Sequence, residues 1–379
     1  MAIKEITNRI SLPDYEFHMV TLRFNADLPK EEKIGNIFVH RIGFTKKEAG
    51  INDLSKFPLF LNKYLFPFTG FLKALELNKK YQFDVIWNMM ANYSAFAGLF
   101  FKFTHPKVKY VLSLQEGDPI EYIRGRVRLV YPLFRKIFTK ADFIQTISTY
   151  LANWARSEGY NKKTILVVPN GVDTAHFSEK ISEREIIEIK NKLGKHEGDI
   201  YLITTSRLVK KNACDDVIKA LPFLPAGVHF IIIGIGPDEQ KLRDLASREG
   251  VQRRVNFLGE IDNAQIPKYL SICDIFIRPS LSEGMGNSFV EAMAAGLPVI
   301  ATQEGGISDF LFDPERNSDK LPTGRAVNPR DPKGIARAVE LYISDKKKTE
   351  EIVKNARELV FKKYDWNLIA RNMKERVFN

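Results

Sequence analysis

From Asp274 to Thr302 the sequence runs DIFIRPSLSEGMGNSFVEAMAAGLPVIAT, and few folds accommodate such a stretch. The apolar run DIFIRPS reads as a buried strand. A loop with two glycines, Gly284 and Gly286, follows it. Then comes a short helix over about residues 287–295, halted by Gly296 with Pro298 just beyond, and a second apolar strand, PVIAT. Asn287 and Ser288 are residue types that cap helix N-termini, and a glycine followed by a proline is a normal helix stop. The loop glycines let backbone approach a ligand closely. The helix start aims unpaired N–H groups and a partial positive charge at it, so the loop reads as a phosphate or pyrophosphate site. Glu283 and Glu291 flank that site. Carboxylates do not bind phosphate, but they accept hydrogen bonds from hydroxyls. A phosphate cradle between two hydroxyl acceptors suits a sugar nucleotide, with ribose on one side of its pyrophosphate and a hexose on the other.

The same rhythm runs through the chain. YEFHMVTLRF, IFVHRIGF, FDVIWNMM, KYVLSL and FIQTIS read as strands in the first half; IYLITTS, VHFIIIG, VNFLG, PVIAT and RAVNP do so in the second. Helical segments alternate with them, which predicts parallel, doubly wound sheets. NGVDTAHF, at residues 170–177, turns the chain out into a charged helix, and the domain boundary is placed there. Residues 57–75, FPLFLNKYLFPFTGFLKAL, are crowded with Phe and Leu and interrupted by Pro58, Pro67 and Gly70. They read as a helical pair, either packed in the core or inserted shallowly into a membrane interface. Residues 124–142, RGRVRLVYPLFRKIFTKAD, read as a basic amphipathic helix, either a solvated face or a membrane-surface element.

Charge adds to this. The formal net charge is +11, and the first 172 residues hold 25 Lys and Arg against 15 Asp and Glu, while the rest are nearly balanced at 32 against 31. With no recognisable nucleic-acid module, the basic half points to an anionic membrane surface or an anionic substrate. Cys214 and Cys273 are too few for a disulfide framework and predict a reduced, cytoplasmic setting. The start, MAIKEITNRI, is polar, and no window is apolar enough to span a bilayer, so a peripheral contact at the inner membrane face is the expected mode. Arg207 and Lys211 follow IYLITTS where a strand gives way to a helix; cations there would neutralise a leaving diphosphate. No D-x-D pair occurs and the six histidines lack ligand spacing, so neither a metal nor a cofactor is expected. GIGP at residues 234–237 reads as a structural strand–helix turn.

With two glutamates eight positions apart in EGMGNSFVE, followed by AMAAGLPVIAT, the chain resembles the retaining glycosyltransferases of family four, which have the GT-B fold. PNGVDTAHF resembles that family's interdomain linker, TSRLVKKN its first donor-domain strand and loop, and FIIIGIGPDEQKL, VNFLGEI and AVNPRDPKGIARAV its later landmarks, so the resemblance spans nearly the whole chain. It implies an α/β fold of two Rossmann-like doubly wound domains facing across a cleft. The acceptor-side domain would cover residues 1–172, a linker 173–194, the nucleotide-sugar donor domain 195–360, and a helix over 361–379 would cross back to the first domain. The implied reaction is retaining transfer of a hexose, without metal, from a UDP- or GDP-sugar to a glycan or lipid-linked acceptor. By resemblance, Arg207, Lys211 and Glu283 are catalytic, with Lys210 a substitute for Lys211. Glu291 takes the ribose hydroxyls, Glu283 also the donor sugar, and the backbone around Gly286, Asn287, Ser288 and Phe289 the phosphates; the base rests near Gly259 to Ile261.

The chain departs from the family in three places. Asn212 stands where the family's lysine usually falls, which moves that role to Lys211. The loop after KYVLSL offers Gln115, Glu116 and Asp118 to the acceptor, where the family often has a histidine. The family's opening strand and glycine-rich loop are missing from the pattern, and a doubly wound sheet without its first strand would expose unpaired edges. The alternatives are therefore a catalytically impaired sugar-nucleotide binding protein and a sugar-nucleotide epimerase of similar fold.

Overall fold

The structure, a computed structural model, describes residues 2–10, 14–162 and 164–378. The chain divides into two compact units, residues 1–169 with 367–379, and residues 170–366.

In the first unit, β1 (Phe17–Leu22), β2 (Glu31–Ile34) and β3 (Ile37–Ile42) form one sheet in the order β1-β3-β2. β1 and β3 are parallel, whereas β2 runs antiparallel to β3. β2 is EEKI, a poor strand former by composition; pairing with β3 holds it as an edge strand whose charged residues stay accessible. A second sheet, of β4 (Val85–Met89), β5 (Lys109–Leu114), β6 (Phe143–Thr146) and β7 (Leu166–Val167), is wholly parallel and in chain order. β5 is buried along almost its whole length, which is why KYVLSL lacks a strict polar alternation. Phe378 joins the two sheets: its ring lies 5.0 Å from that of Trp87 in β4 and 6.0 Å from that of Phe17 in β1.

Two helical expectations change. The apolar stretch at residues 57–75 is not a helical pair but feeds one helix, Leu61–Tyr81, with Pro67 inside it. Phe66 and Gly70 lie buried on the face that packs against the helix Tyr93–Thr104, and a Cβ on Gly70 would sit 3.3 Å from that of Ala97. This close packing offsets the roughly 3 kcal/mol that an interior proline costs a helix. Tyr64, Leu65, Phe68 and Leu72 stay exposed, the Tyr64 and Phe68 rings lying at the rim of that contact, 6.1 Å from the Tyr93 ring and 5.7 Å from the Phe100 ring. The basic stretch at residues 124–142 is also not one helix. Ile120–Arg126 ends, a 3-10 turn spans Arg128–Val130, and Tyr131–Lys140 restarts with a proline in its first turn.

The second unit is built on six parallel strands: β8 (Ile200–Thr205), β9 (Val228–Ile233), β10 (Val255–Gly259), β11 (Ile275–Arg278), β12 (Val299–Ala301) and β13 (Arg325–Ala326). Their order is β10-β9-β8-β11-β12-β13. The chain winds outward from β8 to β10, then restarts at β11 on the other side of β8. Where strand order reverses in this way, the loops leaving the two central strands diverge and open a crevice at their C-terminal ends. Leu202, Phe230, Ile232 and Ile277 are fully buried in the core, so these strands read as continuous apolar runs. Among the described residues, no helix is long and apolar enough to cross a membrane.

Candidate active site

β8 ends at Thr205 and β11 at Arg278, neighbours across the reversal point. The loop after β11 carries Glu283 and Gly286 into the helix Asn287–Ala294; the loop after β8 carries Arg207 and Lys211. The two loops are tied directly, since the Leu281 N–H donates to the Lys211 carbonyl at 2.7 Å.

Asn287 and Ser288, which look like caps in the sequence, are instead the first residues of the helix. The cap position is Gly286, at φ 85°, and no side chain caps the helix. Only glycine fits there: a Cβ would lie 2.6 Å from Cδ2 of Phe289 and 2.7 Å from Nη2 of Arg278. The N–H groups of Asn287 and Ser288, with the positive end of the helix dipole, are therefore left for an anion. Phe289 does not join them. Its N–H donates to the Gly286 carbonyl at 3.2 Å, closing the first turn, and its ring is fully buried against Phe276 and Phe310.

The carboxylates differ in environment. Glu283 is partly buried, and its Oε2 accepts from Nη2 of Arg278 at 3.0 Å. Its backbone carbonyl accepts from the Gly306 N–H at 2.9 Å, which fixes the loop. Glu291, one turn into the helix, is partly buried; burial pushes its carboxyl up to about 7, with the nearby Arg278 guanidinium opposing the shift. Arg278 itself is 6% exposed and escaped sequence reasoning. The available signal was a lone cation inside the apolar run DIFIRPS.

On the other loop, Arg207 is exposed and Lys211 partly buried. Asn212 is buried, and its Nδ2 donates to the Arg207 carbonyl at 2.7 Å, so the position of the family's lysine here holds the turn. The GIGP segment is structural: Gly234 has φ 133°, and a Cβ on it would lie 2.0 Å from the Ser206 carbonyl oxygen, so glycine lets the Arg207 loop lie close. Ile261 follows β10 at the same edge of the sheet and is partly buried.

Gln115 and Glu116 belong to the first unit, after β5. Glu116 does not present a carboxylate to an acceptor. It is 5% exposed and accepts from the backbone N–H groups of Ala91 and Gln115, pinning the loops after β4 and β5, and burial pushes its carboxyl up to about 7. Gln115 is partly buried and Asp118 exposed. Among the described residues, no group of three or more His, Cys, Asp and Glu is placed to hold a metal ion.

A helix start with no side-chain cap at the reversal point of a doubly wound sheet, with carboxylates on both flanks, is the arrangement that suits a nucleotide in α/β proteins of this class. Residues 3–176 match the family described as Glycosyltransferase Family 4, and residues 185–359 the family described as Glycosyl transferases group 1. The chain belongs to these group 1, family-four glycosyltransferases. It is 30% identical over 209 residues to an uncharacterized glycosyltransferase of Methanocaldococcus jannaschii, a match covering 55% of this chain and 52% of that protein. It is 28% identical over 251 residues to the GDP-mannose-dependent alpha-(1-6)-phosphatidylinositol monomannoside mannosyltransferase of Mycobacterium tuberculosis, covering 64% of this chain and 63% of that one. The matched chain thus spans between half and two-thirds of these relatives' own length. Among solved structures, sucrose-phosphate synthase from Thermosynechococcus elongatus superposes with a TM-score of 0.81 at 19% identity, over 98% of this chain and 91% of that one. Anabaena HepE in complex with UDP-glucose gives 0.73 at 20% identity, over 95% and 99%. These neighbours share the two-domain GT-B fold.

Proposed function

We propose that the protein is a retaining, metal-independent glycosyltransferase that moves a hexose from a UDP- or GDP-sugar to a glycan or lipid-linked acceptor. One observation carries this reading: an uncapped helix start, a cation-bearing loop and two carboxylates share the β8–β11 reversal point. The diphosphate takes the N–H groups of Asn287 and Ser288. Glu291 accepts from the ribose hydroxyls and Glu283 from the sugar. As the bond from C1 to the diphosphate oxygen breaks, charge grows on the leaving group, and Arg207 and Lys211 stabilise it more than the ground state. The acceptor oxygen bonds to C1 on the face just vacated, and its proton passes to the departing diphosphate. No carboxylate acts as nucleophile, and the two cations serve in place of a metal.

The name of the M. tuberculosis relative contains a phosphatidylinositol monomannoside, a lipid-linked glycan, which favours a lipid-linked acceptor here. The first unit offers a surface for a peripheral contact with an anionic membrane at the cytoplasmic face. Tyr64, Phe68 and Leu72 are exposed on one helix, and Leu129 in the basic turn is 90% exposed. A run of contacts joins these elements: the Tyr64 ring lies 6.1 Å from that of Tyr93, whose hydroxyl accepts from Arg126 at 3.0 Å, and Arg126 lies 5.9 Å from the Tyr122 ring. Aromatic residues beside cations suit an interfacial surface. Arg124 is not part of it, because it is ion-paired to the fully buried Glu158 at 2.7 Å.

The test is transfer from UDP-glucose and GDP-mannose to lipid-linked acceptors, with and without EDTA, and with the product anomer read by NMR. Retained configuration and EDTA-insensitive turnover are expected. An inverted anomer contradicts retention, and loss in EDTA with rescue by magnesium contradicts the metal-free mechanism.

A further inference from the structure

Arg278 closes β11 at the reversal point, 6% exposed, in a strand whose other residues are wholly apolar. A guanidinium is expensive to bury unless its donors are matched. Here the matching is selective. Nη2 donates to Oε2 of Glu283 at 3.0 Å and Nη1 to Oγ of Ser288 at 2.8 Å, with a longer 3.4 Å contact to the Thr205 carbonyl. The cation lies 4.2 Å from the Phe289 ring centroid, and its Nε is buried without a hydrogen-bond partner among the described residues. The guanidinium therefore reaches both sides of the phosphate loop, and Nη2 would lie 2.7 Å from a Cβ on Gly286, the helix cap residue.

These two bonds have opposite consequences for a ligand. A serine hydroxyl that accepts from Nη1 directs its own proton elsewhere, so Ser288 is presented as a donor, which a phosphate oxygen requires. A carboxylate whose Oε2 is taken by Nη2 keeps Oε1 as an acceptor, which a sugar hydroxyl requires. One buried cation thus sorts the polarity of the two walls. It also places a cation, ion-paired to Glu283, behind a helix start whose dipole supplies only a partial charge.

We infer that Arg278 is a positioning residue of the donor site: it turns Ser288 into a phosphate donor, holds Glu283 by Oε2 so that Oε1 is left to accept from a sugar hydroxyl, and keeps a cation beside the diphosphate site. This rests on the donor site proposed above and names what sets its polarity.

The test is calorimetric titration of UDP, GDP, UDP-glucose and GDP-mannose into the full chain and into Arg278→Met, Arg278→Lys, Ser288→Ala, Glu283→Gln and the paired variants. For whichever nucleotide sugar the parent binds, Arg278→Met should weaken binding at least tenfold, and should also weaken binding of the matching diphosphate. Arg278→Lys keeps the charge but lacks the two-armed fork, so it should recover diphosphate binding more than nucleotide-sugar binding. Ser288→Ala should cost several-fold less in the Arg278→Met background than in the parent, and so should Glu283→Gln. Affinity within twofold of the parent in Arg278→Met, or losses that simply multiply, would overturn the inference. If Arg278→Met does not fold, the same cycles in the Arg278→Lys background decide the question on the same criterion. If the parent binds none of the four probes, the donor site itself is wrong; if it binds and Arg278 is immaterial, only the inference fails.

Discussion

Donor affinity should rise with pH through about 7, and Glu291→Gln should flatten the rise. Burial pushes the Glu291 carboxyl up to about 7 in the free protein. If only the ionised form accepts both ribose hydroxyls, the competent fraction is about 9% at pH 6 and about 91% at pH 8, so apparent affinity should climb about tenfold between them. Near pH 7, binding should release about half a proton, visible as a heat that depends on the buffer's ionisation enthalpy. Glu116 is also pushed up to about 7, so the variant is the necessary control. Glu291→Gln should lose the pH slope, and at pH 8 it should weaken binding by roughly 1.5–3 kcal/mol, the usual worth of a hydrogen bond to a charged group. The shift also acts on stability. A carboxyl whose folded pKa is raised above its ordinary 4.5 contributes stability fully below that value and loses it as pH rises to about 7. The ligand-free melting temperature should fall across that window, and fall less in Glu291→Gln. A wild-type binding isotherm independent of pH, or an unchanged slope in Glu291→Gln, would refute the ribose assignment.

Three further outcomes are expected. Arg207→Ala and Lys211→Ala should each lower kcat more than donor affinity, because the diphosphate gains charge in the transition state; equal loss in both would make them ground-state ligands only. The protein should cosediment with anionic but not zwitterionic vesicles. That binding should weaken with salt and fall in Arg126→Glu/Arg128→Glu and in Phe68→Ser/Leu72→Ser while soluble-donor binding persists; equal sedimentation with neutral vesicles would contradict the surface proposed here. Glu158→Leu should destabilise the fold by about 2–4 kcal/mol in urea unfolding, since the buried carboxylate accepts from Arg124, Trp154 and Tyr131; a change under about 0.5 kcal/mol would mean this network carries no stability.

Legibility in the sequence followed burial. IYLITTS and VHFIIIG could be read as strands because a parallel strand covered on both faces is apolar throughout. The loop EGMGNSFVE was legible because its glycines, carboxylates and helix start sit at fixed spacing, although the cap fell on Gly286 and not on Asn287 or Ser288. EEKI was invisible because its pairing is imposed by β3 and not by its own composition. Pro67 suggested a break that packing against the neighbouring helix overrode. Glu116 looked available because a loop's composition does not reveal which carboxylate turns inward to hold backbone N–H groups. Asn212 also turns inward, its Nδ2 donating to the Arg207 carbonyl. Arg278 was missed because one cation at the end of an apolar run reads as a strand terminus, and only the fold shows that both flanks of the phosphate loop converge on it.

The most direct measurement is hydrogen–deuterium exchange with and without saturating UDP-glucose or GDP-mannose. A donor seated at the β8–β11 reversal point should slow exchange in peptides spanning residues 206–213 and 280–291, and leave the β1–β3–β2 sheet unchanged. Bound nucleotide sugar with no slowing in either peptide, or slowing confined to other segments, would contradict the placement of the donor site.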